Sequence, residues 1–325
     1  MADEEWEVPP AFQPDPADYG FDLIRALDAV VALKALIPPD ATTAATLGIE
    51  REGSAVLIDP RGLFLTIGYL VLESETIWLT AANGRVVQGH ALAVDTETGF
   101  GLVQALGQLP GLTPLELGDS TRLQPGHAVV VAAMGGPRRA VAARVTARQP
   151  FAGYWEYILE DAIFTAPAHP HWGGTACIGM DGRLVGIGSL VLQQGDGSGR
   201  RLDLNMVVPV QELVPILPAL IATGRSGRPP RPWLGMLVAE EEEGVSVGSV
   251  TRGAPADRAG VRPRDRILEV AGEQVQDLAG LWRAVRAVGH AGVPVPMRLE
   301  RDGRVLDLTL ISADRQSFLK TPRLH

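Results

Sequence analysis

The sequence predicts a mainly β protein with a strand-rich domain, a second compact module and an N-terminal helix. From about residue 46 to 222, short β-branched runs alternate with Gly, Pro, Asp and Asn, which is typical of a β-barrel or β-sandwich. Residues 224–232 are rich in Gly, Pro and Arg, cannot build a core and therefore mark a domain boundary. Four strand-like runs follow this boundary, with one helical stretch at 277–289.

These observations divide the chain into five predicted segments. Residues 1–45 hold an acidic, proline-bearing arm and an amphipathic helix over 21–36, where apolar residues recur at helical spacing. Residues 46–223 form the strand-rich domain, which ends in a short helix. The remaining segments are the linker 224–232, the second module 233–313 and a polar tail 314–325.

Composition argues against several classes of function. Lys and Arg total 29 against 38 Asp and Glu, a net charge of −9, which is the wrong sign for neutralising phosphates. We therefore expect no nucleic-acid partner and no membrane partner. Cys177 is the single cysteine, so no cysteine-based zinc site is expected, and we predict no cofactor. The first residues do not resemble a signal peptide, which predicts a cytoplasmic protein if Met1 is the native start.

Several motifs stand out in the second module and in the strand-rich domain. In the second module they are Trp233-Leu234-Gly235-Met236, the block 254–275 and the Arg-Asp-Gly turn at 301–303. In the strand-rich domain they are the stretches 53–66, 174–187 and 204–210. Together these motifs resemble the HtrA/Deg family of trypsin-like serine proteases, and the resemblance covers about residues 46–313. It implies a chymotrypsin-like double β-barrel followed by a PDZ domain.

The PDZ resemblance implies a groove that binds peptides. Backbone N–H groups around Leu234, Gly235 and Met236 can hold a peptide carboxylate, and the strand that follows can accept a ligand as an added strand. Helix residues are expected to form the other wall. The predicted peptide-binding residues are Trp233, Leu234, Gly235, Met236, Val238, Leu278, Leu281 and Val285.

The resemblance places unexpected residues at the three catalytic positions. A serine protease needs a histidine base, a carboxylate that orients it and a serine nucleophile. The corresponding positions hold Tyr69, Gly99 and Gly173, and His171 replaces the glycine of the oxyanion turn. Tyrosine, with a pKa near ~10, is a poor base at neutral pH. We therefore predict that the chain is no enzyme but a pseudoprotease, which acts as a protein-binding adaptor, assembly factor or structural subunit.

Two other functions remain open from the sequence. One is an active serine-type endopeptidase with relocated catalytic residues, for which Thr98 and Thr175 are nearby hydroxyls. The other is a metal-binding protein that uses His169 and His171, which would need a third ligand from elsewhere. The main hypothesis expects a protein or peptide partner and allows a larger complex or a homo-oligomer. In one variant of it, the chain's own end at 322–325 occupies the PDZ groove.

Overall fold

The computed structural model describes residues 6–195 and 201–320 and separates into two compact units. The first contains the chain up to Gln149, then Asp161–Gly227 and Lys320. The second contains Pro150–Glu160 and Arg228–Leu319. The described helices are α1 (Leu23–Asp28), α2 (Ala44–Leu47), α3 (Gly68–Val71), α4 (Leu217–Thr223), α5 (Pro255–Arg258) and α6 (Leu278–Ala287). Short 3₁₀ turns lie at Pro10–Phe12, Pro16–Asp18, Ser120–Arg122, Gly136–Arg139, Val210–Glu212 and Arg315–Phe318.

Two closed six-stranded barrels account for most of the first unit. The first barrel has the strand order β1-β2-β3-β6-β5-β4. Its strands are β1 (Val30–Leu36), β2 (Glu50–Asp59), β3 (Leu63–Ile67), β4 (Thr76–Thr80), β5 (Val86–Val94) and β6 (Phe100–Ala105). The second barrel has the order β10-β11-β12-β9-β8-β7. Its strands are β7 (Ala128–Ala132), β8 (Ala140–Gly153), β9 (Tyr157–Ala166), β10 (Ala176–Gly179), β11 (Leu184–Gly195) and β12 (Arg201–Pro209).

The second unit is built on an antiparallel sheet with the order β13-β14-β15-β17-β18, and β16 pairs with β15. Its strands are β13 (Met236–Glu241), β14 (Gly244–Val250), β15 (Arg266–Val270), β16 (Glu273–Gln274), β17 (Pro294–Arg301) and β18 (Arg304–Ile311). Helix α6 starts after Asp277, whose side chain accepts the N–H of Gly280 as an N-cap. Its apolar side then packs into the core of the sheet through Leu281 and Trp282.

The N-terminal segment departs from the predicted single helix. Helix α1 ends at Asp28, and Val30–Leu36 forms β1, which pairs with both β2 and β4. The helix predicted over 21–36 is therefore wrong beyond Asp28, and the first barrel begins before residue 46. Short apolar runs satisfy helical and strand periodicity equally well. Pairing on both edges of β1 decides the outcome, because it satisfies the hydrogen bonds of the backbone.

The mainly β prediction is confirmed, with two closed barrels and a further antiparallel sheet. The arm also contributes to the first unit, since Val8 lies in the core of the second barrel and its N–H donates to the carbonyl of Arg138. No helix in the described ranges 6–195 and 201–320 is long and apolar enough to cross a membrane.

Candidate functional sites

The three positions that correspond to a protease triad come together in the first unit. Helix α3 follows β3 without a gap and carries Tyr69. The N–H of Gly68 donates to the carbonyl of Gly99 at 2.6 Å. A Cβ atom built on Gly173 would lie 2.8 Å from the hydroxyl of Tyr69. The fold therefore brings Tyr69, Gly99 and Gly173 to one place, and the tyrosine hydroxyl fills the space that a side chain at position 173 would use.

The hydroxyl of Tyr69 is a hydrogen-bond donor in this cleft. It donates to the carbonyl of Ser189 at 2.9 Å. Burial raises the pKa of Tyr69 well above its usual value, while a hydrogen bond with Trp172 lowers it. The phenol therefore keeps its proton at neutral pH. A group in this state can donate hydrogen bonds but does not accept a proton as a general base.

The loop that contains Gly173 is fixed against β2. The N–H of Ser54 donates to the carbonyl of Gly173 at 2.8 Å, and the N–H of Gly174 donates to Gly188 at 2.9 Å. Gly174 has a φ of +77°, and a side chain there would collide with the carbonyl of Ser54. Glycine is the residue that meets both requirements. The loop is thus a tightly packed turn.

The hydroxyls considered for relocated catalysis are both buried and hydrogen-bonded. Thr175 donates through its Oγ1 to the carbonyl of Trp172 at 3.0 Å. Thr98 donates through its Oγ1 to the carboxylate of Asp95 at 2.7 Å. Cys177 is also buried, and burial raises the pKa of its thiol to about 12. A thiol in this state is a core side chain, since the thiolate is the reactive form.

The two histidines do not assemble a metal site. Nδ1 of His169 accepts the N–H of His171 at 3.1 Å, so Nε2, 3.0 Å from the carbonyl of Arg139, carries the proton. Burial lowers the pKa of His169 to about 4. The ring of His171 packs on Trp6 with centroids 4.1 Å apart. In the part of the chain that the structure describes, no group of three or more His, Cys, Asp or Glu could hold a metal ion.

In the second unit, the predicted carboxylate loop holds a carboxylate from the chain itself. The backbone N–H groups of Leu234, Gly235 and Met236 donate to the side chain of Glu156 at 2.8, 2.6 and 2.9 Å. The loop geometry depends on Gly235, which has a φ of +78° and no space for a side chain against Ala254. The three N–H groups converge on one carboxylate that the sequence analysis did not foresee, and peptide binding by this loop stays a prediction.

The main chain beside Glu156 continues along β13. The N–H of Val238 donates to the carbonyl of Tyr154 at 3.0 Å, and Nε1 of Trp282 on α6 donates to the carbonyl of Gly153 at 2.8 Å. The segment Gly153–Glu156 links β8 to β9. It therefore lies along β13 and is also bound by α6, the two elements expected to form the walls of a peptide groove.

Glu156 has an unusual conformation and an unusual electrostatic environment. Its φ of +61° lies in the left-handed region, which is uncommon for residues other than glycine. The residue as a whole is half-buried. Burial of the carboxyl raises its pKa to about 7, although the three N–H groups and the charge of Arg315 lower it.

The other predicted groove residues have mixed positions. Leu281 and Val285 are buried in the core beneath α6, whereas Leu278 is partly exposed. Trp233 forms a bridge with Ala313, and its ring contacts Phe318 at a centroid distance of 4.8 Å. The chain end predicted to occupy the groove, 322–325, lies outside the described residues. Sequence reasoning missed Glu156; the only local signal was the run Phe151–Tyr157, which holds four aromatic residues.

Comparisons with known proteins agree with this architecture. Residues 53–187 match the trypsin-like peptidase domain model, and residues 232–311 match the PDZ domain model. A Do-like protease of Arabidopsis thaliana is 26% identical over 263 residues, which cover 70% of this chain and 58% of the relative. A DegP-like periplasmic serine endoprotease of Chlamydia pneumoniae is 23% identical over 277 residues, with coverages of 79% and 54%. The chain thus spans little more than half the length of these two relatives.

A solved structure of the HtrA-type protease AlgW with a decapeptide has the same fold. It has a TM-score of 0.54 and 22% identity, and the match covers 90% of this chain and 97% of that one. One part of the chain thus matches the trypsin-like peptidase domain model, a later part matches the PDZ domain model, and the chain is similar to HtrA-type proteases. The resemblance drawn from the sequence motifs is confirmed to this extent.

Two predictions made from the sequence need correction. We predicted from Tyr69, Gly99 and Gly173 that the chain is not an enzyme, and the comparisons contradict this, because its relatives are named serine endoproteases. Relatives with protease names include the HtrA protein of Lactobacillus helveticus, of which the match covers 67%. The predicted cytoplasmic location is also wrong, because several relatives are named periplasmic endoproteases.

Proposed function

We propose that this HtrA-type chain recognises polypeptides through the carboxylate loop of its PDZ domain, which we place at 233–313. The observation that carries the proposal is the bonding of one carboxylate to three consecutive backbone N–H groups, those of Leu234, Gly235 and Met236. A peptide that ends in a free carboxylate offers the same acceptor. The AlgW structure with a decapeptide supports binding of peptides by this type of protein.

The edge of β13 supports the same function. Its other edge pairs with β14, so the edge that faces Tyr154 is the one on which an extended ligand can add. Main-chain hydrogen bonds of this kind give affinity without regard to sequence, and side-chain contacts then select the ligand. The chemical class of ligand is therefore an extended polypeptide segment with a carboxylate at its end.

Peptide binding to the full chain tests this proposal. Fluorescence anisotropy would compare a labelled peptide that ends in a free carboxylate with the same peptide as a C-terminal amide. We expect tighter binding of the free carboxylate, because charge-assisted hydrogen bonds are stronger than neutral ones. The measurement is repeated on Glu156→Gly, which removes the internal carboxylate. Equal affinity for the two peptides in both chains would contradict the proposal.

A second candidate function, peptide-bond hydrolysis, is favoured by the protease names of the relatives. The nucleophile would be a side chain other than position 173, since glycine carries none, and Thr175 is the nearest candidate along that loop. The test incubates the full chain with unfolded casein and compares it with Thr175→Val. Cleavage that is lost in Thr175→Val supports this assignment. Cleavage that persists unchanged excludes Thr175 as the nucleophile.

The names of the relatives also support a place of action. Several are named periplasmic endoproteases, and we extend this location to the present chain as part of the proposal. Fractionation of cells that express the full native gene tests it, with a cytoplasmic enzyme as the marker. Recovery of the chain with the cytoplasmic marker would contradict this location.

A further inference from the structure

We propose that the hairpin tip Gly153–Glu156 is a built-in ligand of the PDZ groove, and that an external polypeptide binds only by displacing it. This inference rests on the proposed function of the groove. It goes further, because it states what occupies the groove in the absence of a partner and what controls access to it.

The carboxylate of Glu156 is the first feature of the hairpin tip that resembles a bound peptide. Both oxygens of Glu156 accept hydrogen bonds, one from Leu234 and the other from Gly235 and Met236. All three donors of the loop are therefore used by the chain itself. A peptide terminus would need the same three N–H groups, so the internal and external carboxylates cannot be bound together.

The main chain of the hairpin tip is the second feature that resembles a bound peptide. Tyr154 accepts from the N–H of Val238, two residues beyond the loop on β13. Gly153 accepts from the indole of Trp282 on α6. The segment is thus hydrogen-bonded both to the edge strand of the sheet and to the helix.

The hairpin is also secured on both sides of its tip. Ile158 on β9 belongs to the buried core of the second unit, and Ala152 packs against that core. Glu160 forms a bidentate hydrogen-bonded ion pair with Arg283 on α6. The ion pair is exposed and contributes little by itself. The buried side chains therefore carry most of the attachment.

The backbone conformation of Glu156 indicates that the surrounding contacts hold this residue in place. A φ of +61° costs free energy for a residue with a Cβ atom, and such conformations persist where the surroundings determine them. Here the determining contacts are the three N–H donors of the loop. A glycine at this position would adopt the same turn without strain but would leave those donors free.

The consequence for binding follows from competition. If the closed form is favoured over the open form, the affinity of an external peptide is weakened by the fraction of molecules that are open. Removing the side chain of Glu156 frees the three N–H groups that a peptide carboxylate needs, while the buried contacts of the hairpin remain. We expect the affinity of the full chain for a carboxylate-ended peptide to rise at least about tenfold in Glu156→Gly.

The test uses a labelled hexapeptide, Phe-Ala-Gly-Tyr-Trp-Val, with a free C-terminal carboxylate. It copies residues 151–155 and places a main-chain carboxylate where Glu156 now lies. Anisotropy titrations compare the native chain, Glu156→Gly and Glu156→Gln. The matched control is Glu242→Gly, which makes the same change of charge and residue type in the exposed turn between β13 and β14. We expect native and Glu242→Gly chains to bind equally and weakly.

A second measurement on the native chain does not depend on any variant. Hydrogen–deuterium exchange of residues 150–158 is followed with and without saturating hexapeptide. Displacement of the hairpin would raise exchange in this segment, and the amide-ended peptide would raise it less. Equal affinity of the native and Glu156→Gly chains, together with unchanged exchange, would overturn the internal-ligand proposal while leaving peptide binding intact. Absence of carboxylate-dependent binding in both chains would instead overturn the proposed function.

Discussion

Tyr69 and Gly173 share one small space, which makes their energetic coupling measurable. A methyl group at position 173 would lie 2.8 Å from the hydroxyl of Tyr69, whereas the next atoms, Cζ of Tyr69 and Cδ1 of Leu70, are 3.7 and 3.8 Å away. The hydroxyl is therefore the single obstacle. Overpacking of this kind typically costs about 1–3 kcal/mol, so we expect Gly173→Ala to destabilise the native chain by this amount.

Tyr69→Phe removes this obstacle and changes the sign of the effect that Gly173→Ala has on stability. By itself it leaves the carbonyl of Ser189 without its donor, which costs about 1–3 kcal/mol. In the Phe background a methyl group at position 173 meets only ordinary van der Waals contacts. Gly173→Ala then becomes neutral or stabilising by about 0.4–1 kcal/mol, because alanine restricts the unfolded chain. The coupling in the double-mutant cycle should therefore be favourable by about 1–4 kcal/mol, which is the avoided overpacking cost plus any gain from alanine.

The assay is urea-induced unfolding of the four chains of the cycle, followed by tryptophan fluorescence. Gly20→Ala provides the matched control, because a Cβ atom at position 20 meets nothing within 4 Å. In combination with Tyr69→Phe it should be additive. A cycle at positions 69 and 173 that is also additive would refute the assignment of the tyrosine hydroxyl as the group that fills this space.

Three further predictions concern single side chains. Because the pKa of Glu156 is raised by burial to about 7 in the closed form, the hairpin contact is strongest below the usual glutamate pKa and weakens as pH rises through 7. Exchange of residues 150–158, corrected for intrinsic rates, should therefore increase from pH 5 to pH 8.5 in the native chain and stay flat in Glu156→Gln. Gly235→Ala should lower the melting temperature, and adding Ala254→Gly should restore only part of it, because the clash is relieved but the positive φ is not. Glu73→Gln should cost about 1–3 kcal/mol in urea unfolding, since the buried carboxylate accepts the N–H groups of Thr43 and two other residues.

Local sequence patterns were sufficient to predict the mainly β fold class and most of the strands. Residues 233–238 form the loop and its strand from one continuous segment, so the motif and the geometry coincide. The same holds for α6 (Leu278–Ala287), which lies within the helical stretch predicted at 277–289. Features that depend on residues adjacent in the chain can therefore be predicted from the local sequence.

Features that depend on distant partners were not predictable in this way. Val30–Leu36 is a strand because β2 and β4 lie on its two sides, and a seven-residue apolar run does not reveal this. Thr98 and Thr175 lie close to the matched catalytic positions in the sequence, but their hydrogen bonds to Asp95 and Trp172 become visible only in three dimensions. The sequence also indicates a residue type at position 69 without showing that its hydroxyl reaches Gly173.

Glu156 is the clearest example of such a long-range feature, and it sets a condition on any partner of the groove. The residue lies 78 positions before Leu234, so no local motif links the ligand with its loop. A tethered ligand acts at an effective concentration on the order of millimolar. An external peptide that merely reproduced the contacts of Gly153–Glu156 would therefore compete poorly at cellular concentrations. A successful partner must add contacts that the hairpin lacks, and the partly exposed Leu278 of α6, a predicted groove residue, is the candidate that we expect to provide them.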